Sequence, residues 1–269
     1  LDSVMAQYTD PRVRYYRNEQ NIGGKHLTRQ WEHCLGFVRG EYLVMAADDD
    51  LYAPTFAEEC MKLAMQHPSV DLIRTRVEEI DEVGALVGLE SFYTKGLISQ
   101  LEYIYAYRSG EVFICMGNFA FKTSVLREKG FVDFPRALGS DIATTIEMAA
   151  NGVACVDQPL FAFRHSTIHL SGSMAQLEPK MGAITLFYEW MERYPIPVPQ
   201  NKYEVYYANK LTSLDWHEKC IYDYYNQVIR YVPMLKLSHF LSLAKLSSSN
   251  EKTKMILRWC KDRVLPVKH

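Results

Sequence analysis

A short apolar run, Tyr42 to Ala46 (YLVMA), sits between two stretches of helical periodicity and leads into three consecutive aspartates, Asp48, Asp49 and Asp50. Upstream, Leu27, Trp31, Cys34, Leu35 and Val38 fall on one face of a helix that Gly40 stops; downstream, Pro54 opens a second helix through Phe56, Cys60, Leu63 and Ala64, ending at His67-Pro68. A brief apolar run between helices is the signature of a strand buried in a parallel sheet, so the pattern predicts an α/β fold with the aspartates at that strand's carboxyl end. Ligands of open α/β sheets bind in the crevice at that end.

The flanking sequence extends the pattern. Residues 4 to 8 read as a helix tail, Asp10-Pro11 as a turn, Val13 to Tyr16 as a short alternating strand, and Asn21-Ile22-Gly23-Gly24 as a loop. Further strands are expected at Leu72 to Val77, Phe119 to Phe121, Val153 to Val156 and Leu160 to Arg164, with a helix from Ser140 to Asn151. From Met174 the character changes: Pro195, Pro197 and Pro199 mark a linker, and Leu211, Leu214, Ile221, Tyr225 and Val228 follow helical spacing. With 269 residues, this predicts a mixed sheet flanked by helices over residues 1–173 and a helical region over 174–269.

Composition narrows the function. A net charge of -2 argues against a general nucleic-acid binder. The six cysteines carry no CxxC pair and no regular spacing, so neither a zinc knuckle nor a disulfide framework is indicated, and a reducing cytoplasm fits. No apolar run approaches the roughly 18 residues of a membrane helix, and the first residues are not a signal peptide.

Three adjacent carboxylates repel one another unless a cation or several donors sit among them. Mg²⁺ and Mn²⁺ prefer oxygen ligands and commonly take one or two carboxylates plus substrate phosphates, a partial set that Asp48 and Asp50 supply. The alternative is a solvated acidic turn that favours the next helix through its dipole. A calcium loop is disfavoured because the Asp-x-Asp-x-Asp-Gly alternation is missing.

The segment from Asp10 to Phe56 resembles the family 2 glycosyltransferases. An Asn-x-Gly loop (Asn21-Ile22-Gly23), a helix, a Gly-Glu-Tyr strand entry (Gly40-Glu41-Tyr42), the aspartates and a downstream proline (Pro54) occur in the family's order. The likeness spans residues 10 to 170 and implies a GT-A fold that uses a nucleotide-diphosphate sugar, most often a UDP-sugar, with Mn²⁺ or Mg²⁺. It implies that Asp48 lies on the ribose side while Asp49 or Asp50 holds the metal, that Asn21 and Gly23 border the nucleotide, and that Arg29 takes the place of a family arginine at a spacing shifted by one residue.

The same resemblance assigns Asp141, in Leu138-Gly139-Ser140-Asp141, as the base that deprotonates the acceptor hydroxyl, with Ser140 replacing the family's usual glutamate; helix capping is the alternative. An inverting displacement needs such a base on one face of the sugar and a metal on the departing diphosphate on the other. His165 and His169, after the expected strand ending at Arg164, fall where the family carries a histidine and are candidate metal ligands.

From Leu235 onward eight Lys or Arg face two Asp or Glu, interleaved with apolar residues, a pattern suited to peripheral contact with the inner face of a membrane or to packing on the chain's own domain. The family's opening strand, helix and strand are expected to be missing, since the chain starts at Leu1 in what reads as the middle of an element. The reading is therefore transfer of a sugar to a glycan or lipid-linked hydroxyl. Two competitors stand beside it: an inactive nucleotide- or sugar-binding scaffold and a metal-dependent nucleotidyltransferase.

Overall fold

The computed structural model describes residues 2–92, 94, 96–165 and 177–264. Among them, seven strands build one sheet: β1 (Tyr42–Leu43), β2 (Leu51–Tyr52), β3 (Leu72–Ile80), β4 (Leu86–Leu89), β5 (Gly96–Ile98), β6 (Phe119–Lys122) and β7 (Val153–Arg164). The order is β1-β6-β3-β7-β2, with β4 paired to β3 and β5 to β7. The long central pair β3–β7 is parallel and the other pairings are antiparallel. The helices are α1 (Asp2–Met5), α2 (Leu27–Phe37), α3 (Phe56–Gln66), α4 (Gln100–Arg108), α5 (Thr123–Lys129), α6 (Ser140–Met148), α7 (Leu177–Arg193), α8 (Lys202–Ser213), α9 (Trp216–Asp223), α10 (Leu237–Leu243) and α11 (Ser249–Val264).

Strand parity sorts the molecule into layers, because successive side chains point to opposite faces. Ile73, Val77, Ala120, Ala154 and Val156 pack with Phe56, Cys60 and Ala64 of α3. Leu72, Phe119, Phe121, Val153 and Cys155 face the other way, onto Leu101 and Tyr103 of α4, Ile146 of α6 and Met181 and Ile184 of α7. That second cluster runs on through Tyr224 to Trp259 of α11, so the C-terminal helices share a core with the sheet. A one-residue slip in β3 would exchange the two apolar sets, which fixes the register.

The parity also buries a charge. Arg74 follows Leu72 on the same face, is fully buried, and meets the almost fully buried Glu90 at 2.5 Å. Glu90 further accepts the backbone N–H of Phe113 (2.8 Å) and Val77 (3.1 Å), so this carboxylate ties the end of β4 to the segment that enters β6.

Several local expectations change. Val13 to Tyr16 forms no strand: the Tyr15 hydroxyl donates to Asp2 (2.6 Å) and the Tyr16 ring stacks on Phe37 (4.1 Å), so the apolar alternation serves side-chain packing. YLVMA yields ladder pairing only at Tyr42–Leu43, antiparallel to β6 at a sheet edge, with Val44 already exposed. The two strands expected between Val153 and Arg164 are one, with register shifts opposite Arg76 where Pro159, lacking an N–H, cannot complete the ladder. The short β2, β4 and β5 and the helices α4 and α5 carry no signal that sequence reasoning caught. Among the described residues no helix is long and apolar enough to cross a membrane.

Candidate active site

The aspartate triplet lies in the loop between β1 and β2, and its position is set by β7. Pairing of Leu51 with Ala162 and Tyr52 with Phe161 brings Asp50 beside the end of β7. There the Arg164 N–H donates to the Asp50 carboxylate (3.0 Å), and its guanidinium reaches the carbonyls of Asp49 (2.8 Å), Asp81 (3.0 Å) and Glu82 (3.2 Å). One arginine thus joins the triplet loop to the turn after β3. Asp49 and Asp50 are half-buried and Asp48 is exposed.

Tyr52 carries the site inward. Its hydroxyl donates to the Gly117 carbonyl (2.9 Å), and a Cβ at Gly117 would stand 2.6 Å from the Phe161 ring, so glycine is what permits this approach. Asn118, fully buried, holds the same turn by donating to the Thr75 carbonyl (3.1 Å) and accepting from the Cys115 N–H (3.2 Å). Burial pushes the Cys115 thiol well up, and Asp50 and Asp141 both push it further. The Cys115–Asn118 turn therefore has the carboxylates of Asp50 and Asp141 within electrostatic reach of one sulfur, although 91 positions separate them in sequence.

Asp141 is the second residue of α6. The helix is entered through Gly139 at φ 84°, where a Cβ would also lie 2.6 Å from Phe187, so the turn admits glycine alone without strain. Asp141 keeps partial solvent contact, yet enough protein surrounds its carboxyl that burial raises its pKa to about 6, against the lowering effect of the Ile142 N–H donated at 2.9 Å and of its own N–H. A carboxylate poised near neutrality suits a general base better than an ordinary surface acid.

The remaining sequence candidates fall around this centre. Asn21 closes its own loop by accepting the Gly24 N–H (2.8 Å), and Gly23 packs by the Gln30 side chain. The Arg136 guanidinium donates to the Gly24 carbonyl (3.1 Å) and the Thr28 hydroxyl to Asp133 (2.5 Å), so the glycine loop is fastened to the turn preceding Asp141. Arg29 is exposed on α2. The His165 ring bonds Glu79 (2.6 Å) rather than an aspartate of the triplet, while its backbone N–H donates to Ile80 (2.8 Å). His169 lies outside the described residues. Sequence reasoning missed Tyr52 and Arg136, whose partners lie 65 and 112 residues away and leave no local signal.

Among the described residues, no three His, Cys, Asp or Glu side chains converge as a ready metal cage. The donor chemistry still fits a hard divalent cation, which needs only one or two carboxylates when phosphate and water complete its shell, and Asp48, Asp49 and Asp50 supply oxygen donors at one loop. An apolar hollow of about 620 Å³ between β1 and α3, lined by Tyr42, Val44, Phe56 and Met61, contains none of the site residues named here.

Residues 1–130 match the sequence profile of Glycosyl transferase family 2. No curated protein sequence matches the chain. Among solved structures, S. aureus TarS superposes with a TM-score of 0.53 at 13% identity, covering 97% of this chain and 45% of that one. A shorter form, TarS 1-349, gives a TM-score of 0.56 at 11% identity over 97% and 77% of the two chains. The mannosyltransferase PcManGT of Pyrobaculum calidifontis, solved with GDP-Man and Mn²⁺, reaches 0.43 at 14% identity over 94% and 63%, below the level at which a shared fold follows. The chain thus spans less than half of the first of these structures, and what is shared with TarS is the GT-A fold. The likeness to glycosyl transferase family 2 thus lies in residues 1–130, the half of the chain that carries the aspartate triplet.

Proposed function

We propose that this chain transfers a sugar from a nucleotide-diphosphate sugar, most plainly a UDP-sugar, to a hydroxyl of a glycan or lipid-linked acceptor, with inversion. One observation carries the reading: Tyr52, two residues after the aspartate triplet, donates to the Gly117 carbonyl in the Cys115–Asn118 turn, whose Cys115 thiol feels the charge of both Asp50 and Asp141, as suits a cleft with diphosphate chemistry at one side and a base at the other. Asp48, Asp49 and Asp50 would hold Mn²⁺ or Mg²⁺, whose charge when bound offsets that developing on the departing diphosphate. Arg164 holds the Asp49 carbonyl and one oxygen of the Asp50 carboxylate in place, so the loop needs little rearrangement to receive its ligand. Asp141 accepts the proton of the attacking hydroxyl. Asn21 and Gly23 line the nucleotide side, and residues 1–173 act as the donor domain while 174–269 contribute helices to the acceptor side.

The test is a donor panel. UDP-, GDP- and dTDP-sugars are incubated with the chain and Mn²⁺, and nucleoside diphosphate release is followed together with the anomeric configuration of the sugar product by NMR. The reading expects one donor to release nucleoside diphosphate at least tenfold faster than the others, with inverted product. Release of pyrophosphate and transfer of a nucleotidyl group would instead identify a nucleotidyltransferase, and a retained configuration would remove the single-displacement role of Asp141.

A further inference from the structure

Between the buried Val232 and the buried Phe240 the chain turns outward through Pro233, Met234, Leu235 and Lys236, and the two residues at its apex are apolar: Met234 is 78% exposed and Leu235 99%. Tyr231, just before the turn, is exposed as well. Single apolar side chains are ordinary on a protein surface, but loop tips favour small and polar residues, and neither Met nor Leu is needed to shape a turn. The turn is also fixed. The Lys236 N–H donates to the Pro233 carbonyl (2.9 Å), and the Val232 carbonyl takes both the Trp259 indole N–H (3.0 Å) and the Arg263 guanidinium (2.8 Å) from α11. Little ordering of the backbone is left to do when a partner covers the tip.

Cations collar this tip. The Arg230 guanidinium lies 5.4 Å from the centre of the Tyr231 ring, Lys236 follows Leu235, and Arg263 reaches the Arg230 carbonyl (3.4 Å) as well as that of Val232. Among the described residues no carboxylate pairs with any of the three: Asp262 takes the Tyr225 hydroxyl (2.7 Å), and Glu251 takes the Ser248 hydroxyl (2.7 Å) and lies 2.8 Å from the His217 ring. Over residues 230–264 eight Lys or Arg stand against these two acids, in a chain whose net charge is -2, so the positive charge is local to this region.

We infer that the turn from Pro233 to Lys236 docks the chain on an anionic membrane surface, with Met234 and Leu235 entering the acyl boundary and Arg230, Lys236 and Arg263 among the phosphate headgroups. An apolar wedge inside a cationic collar matches the two layers of such a surface, hydrocarbon within and negative charge at its rim. A second copy meeting the same patch would bring two collars of like charge together, and a nucleic acid would engage the cations while leaving the apolar apex in water. The C-terminal helices share a core with the sheet, so docking at this turn holds the catalytic half at the surface with no membrane-spanning helix among the described residues. The inference stands apart from the transfer reading, since docking needs neither donor nor acceptor.

Flotation of the full chain with lipid vesicles is the test. The chain rises with vesicles of phosphatidylcholine and phosphatidylglycerol in equal parts, stays behind with phosphatidylcholine alone, and is released from the former by added salt. Leu235→Ser weakens partitioning roughly tenfold or more and Lys236→Gln about fivefold, while Met65→Ser, which removes a comparably exposed apolar side chain from α3 on the opposite face of the sheet, leaves it unchanged. All three side chains are exposed, and unaltered circular dichroism and Tm confirm that the variants fold. No flotation with either vesicle, equal flotation with both, or flotation that Leu235→Ser and Met65→Ser affect alike would overturn the inference. Self-association that Leu235→Ser abolishes, in a chain that does not float, would assign the tip to a second copy instead.

Discussion

Asp141→Asn is expected to lower kcat by about 10² to 10⁴-fold, the contribution of a positioned general base, while leaving nucleotide affinity within twofold. Asparagine preserves size and can still accept the Ile142 N–H, so a residue that merely steadied the start of α6 would tolerate it with little loss. The pH dependence gives a second arm. Asp141 must be ionised to accept a proton and its pKa is raised to about 6, so kcat/KM should fall as pH drops through 6. Stability moves the other way. A carboxyl whose folded pKa exceeds its unfolded one gives a native state that binds more protons between pH 3.8 and about 6, so its contribution to stability declines as pH rises through that window. The asparagine variant avoids that cost and should be the more stable protein at pH 7, by about 3 kcal/mol at most, or a Tm gain of several degrees. Loss of activity with a gain in Tm would be difficult to obtain from a structural residue; unchanged kcat would remove Asp141 from the mechanism.

Glu90→Ala has the largest expected effect on stability. Removing the carboxylate leaves the fully buried Arg74 guanidinium without the partner at 2.5 Å and strips the Phe113 and Val77 N–H groups of their acceptor. Breaking a buried pair from one side costs about 3–5 kcal/mol, a Tm drop of roughly 10 °C for a chain of this size. The loss should also reach the site, because Phe113 leads into the Cys115–Asn118 turn. Replacing both partners by apolar residues, Arg74→Met with Glu90→Leu, should recover most of the stability, since the desolvation cost of the ions disappears with them. Urea denaturation checks both variants. A Glu90→Ala shift below about 1 kcal/mol would mean that the pair is not the buried fastener described here.

How much of this was legible before the structure depends on how local each signal is. Helices α2 and α3 announce themselves through apolar residues at helical spacing bounded by Gly40, Pro54 and Pro68. The aspartate triplet and the glycine at 139 were visible for the same reason: their chemistry is written in adjacent residues. The YLVMA run overstated its strand, because apolar composition reports burial and not ladder pairing, and only Tyr42 and Leu43 find a partner in β6. The β7 strand was divided in two because Pro159 reads as a break, whereas the sheet absorbs it as a register shift. Helix α4, QLEYIYAYR, distributes tyrosines so that no polar face emerges. What no window could reveal is the assembly of the site: Arg164 meets Asp50 across 114 residues, Arg136 meets Gly24 across 112, and the left-handed backbone at Arg136 and Ala137 has no glycine to mark it.

The central claim is that the Asp48–Asp50 loop receives a metal-bound nucleoside diphosphate, and calorimetric titration of UDP tests it most directly. With Mn²⁺ present the chain should bind UDP, binding should weaken at least tenfold in EDTA, and Asp50→Ala should abolish the difference between the two conditions. Equal UDP affinity with and without metal, or an Asp50→Ala variant that binds UDP and Mn²⁺ like the parent chain, would contradict the claim.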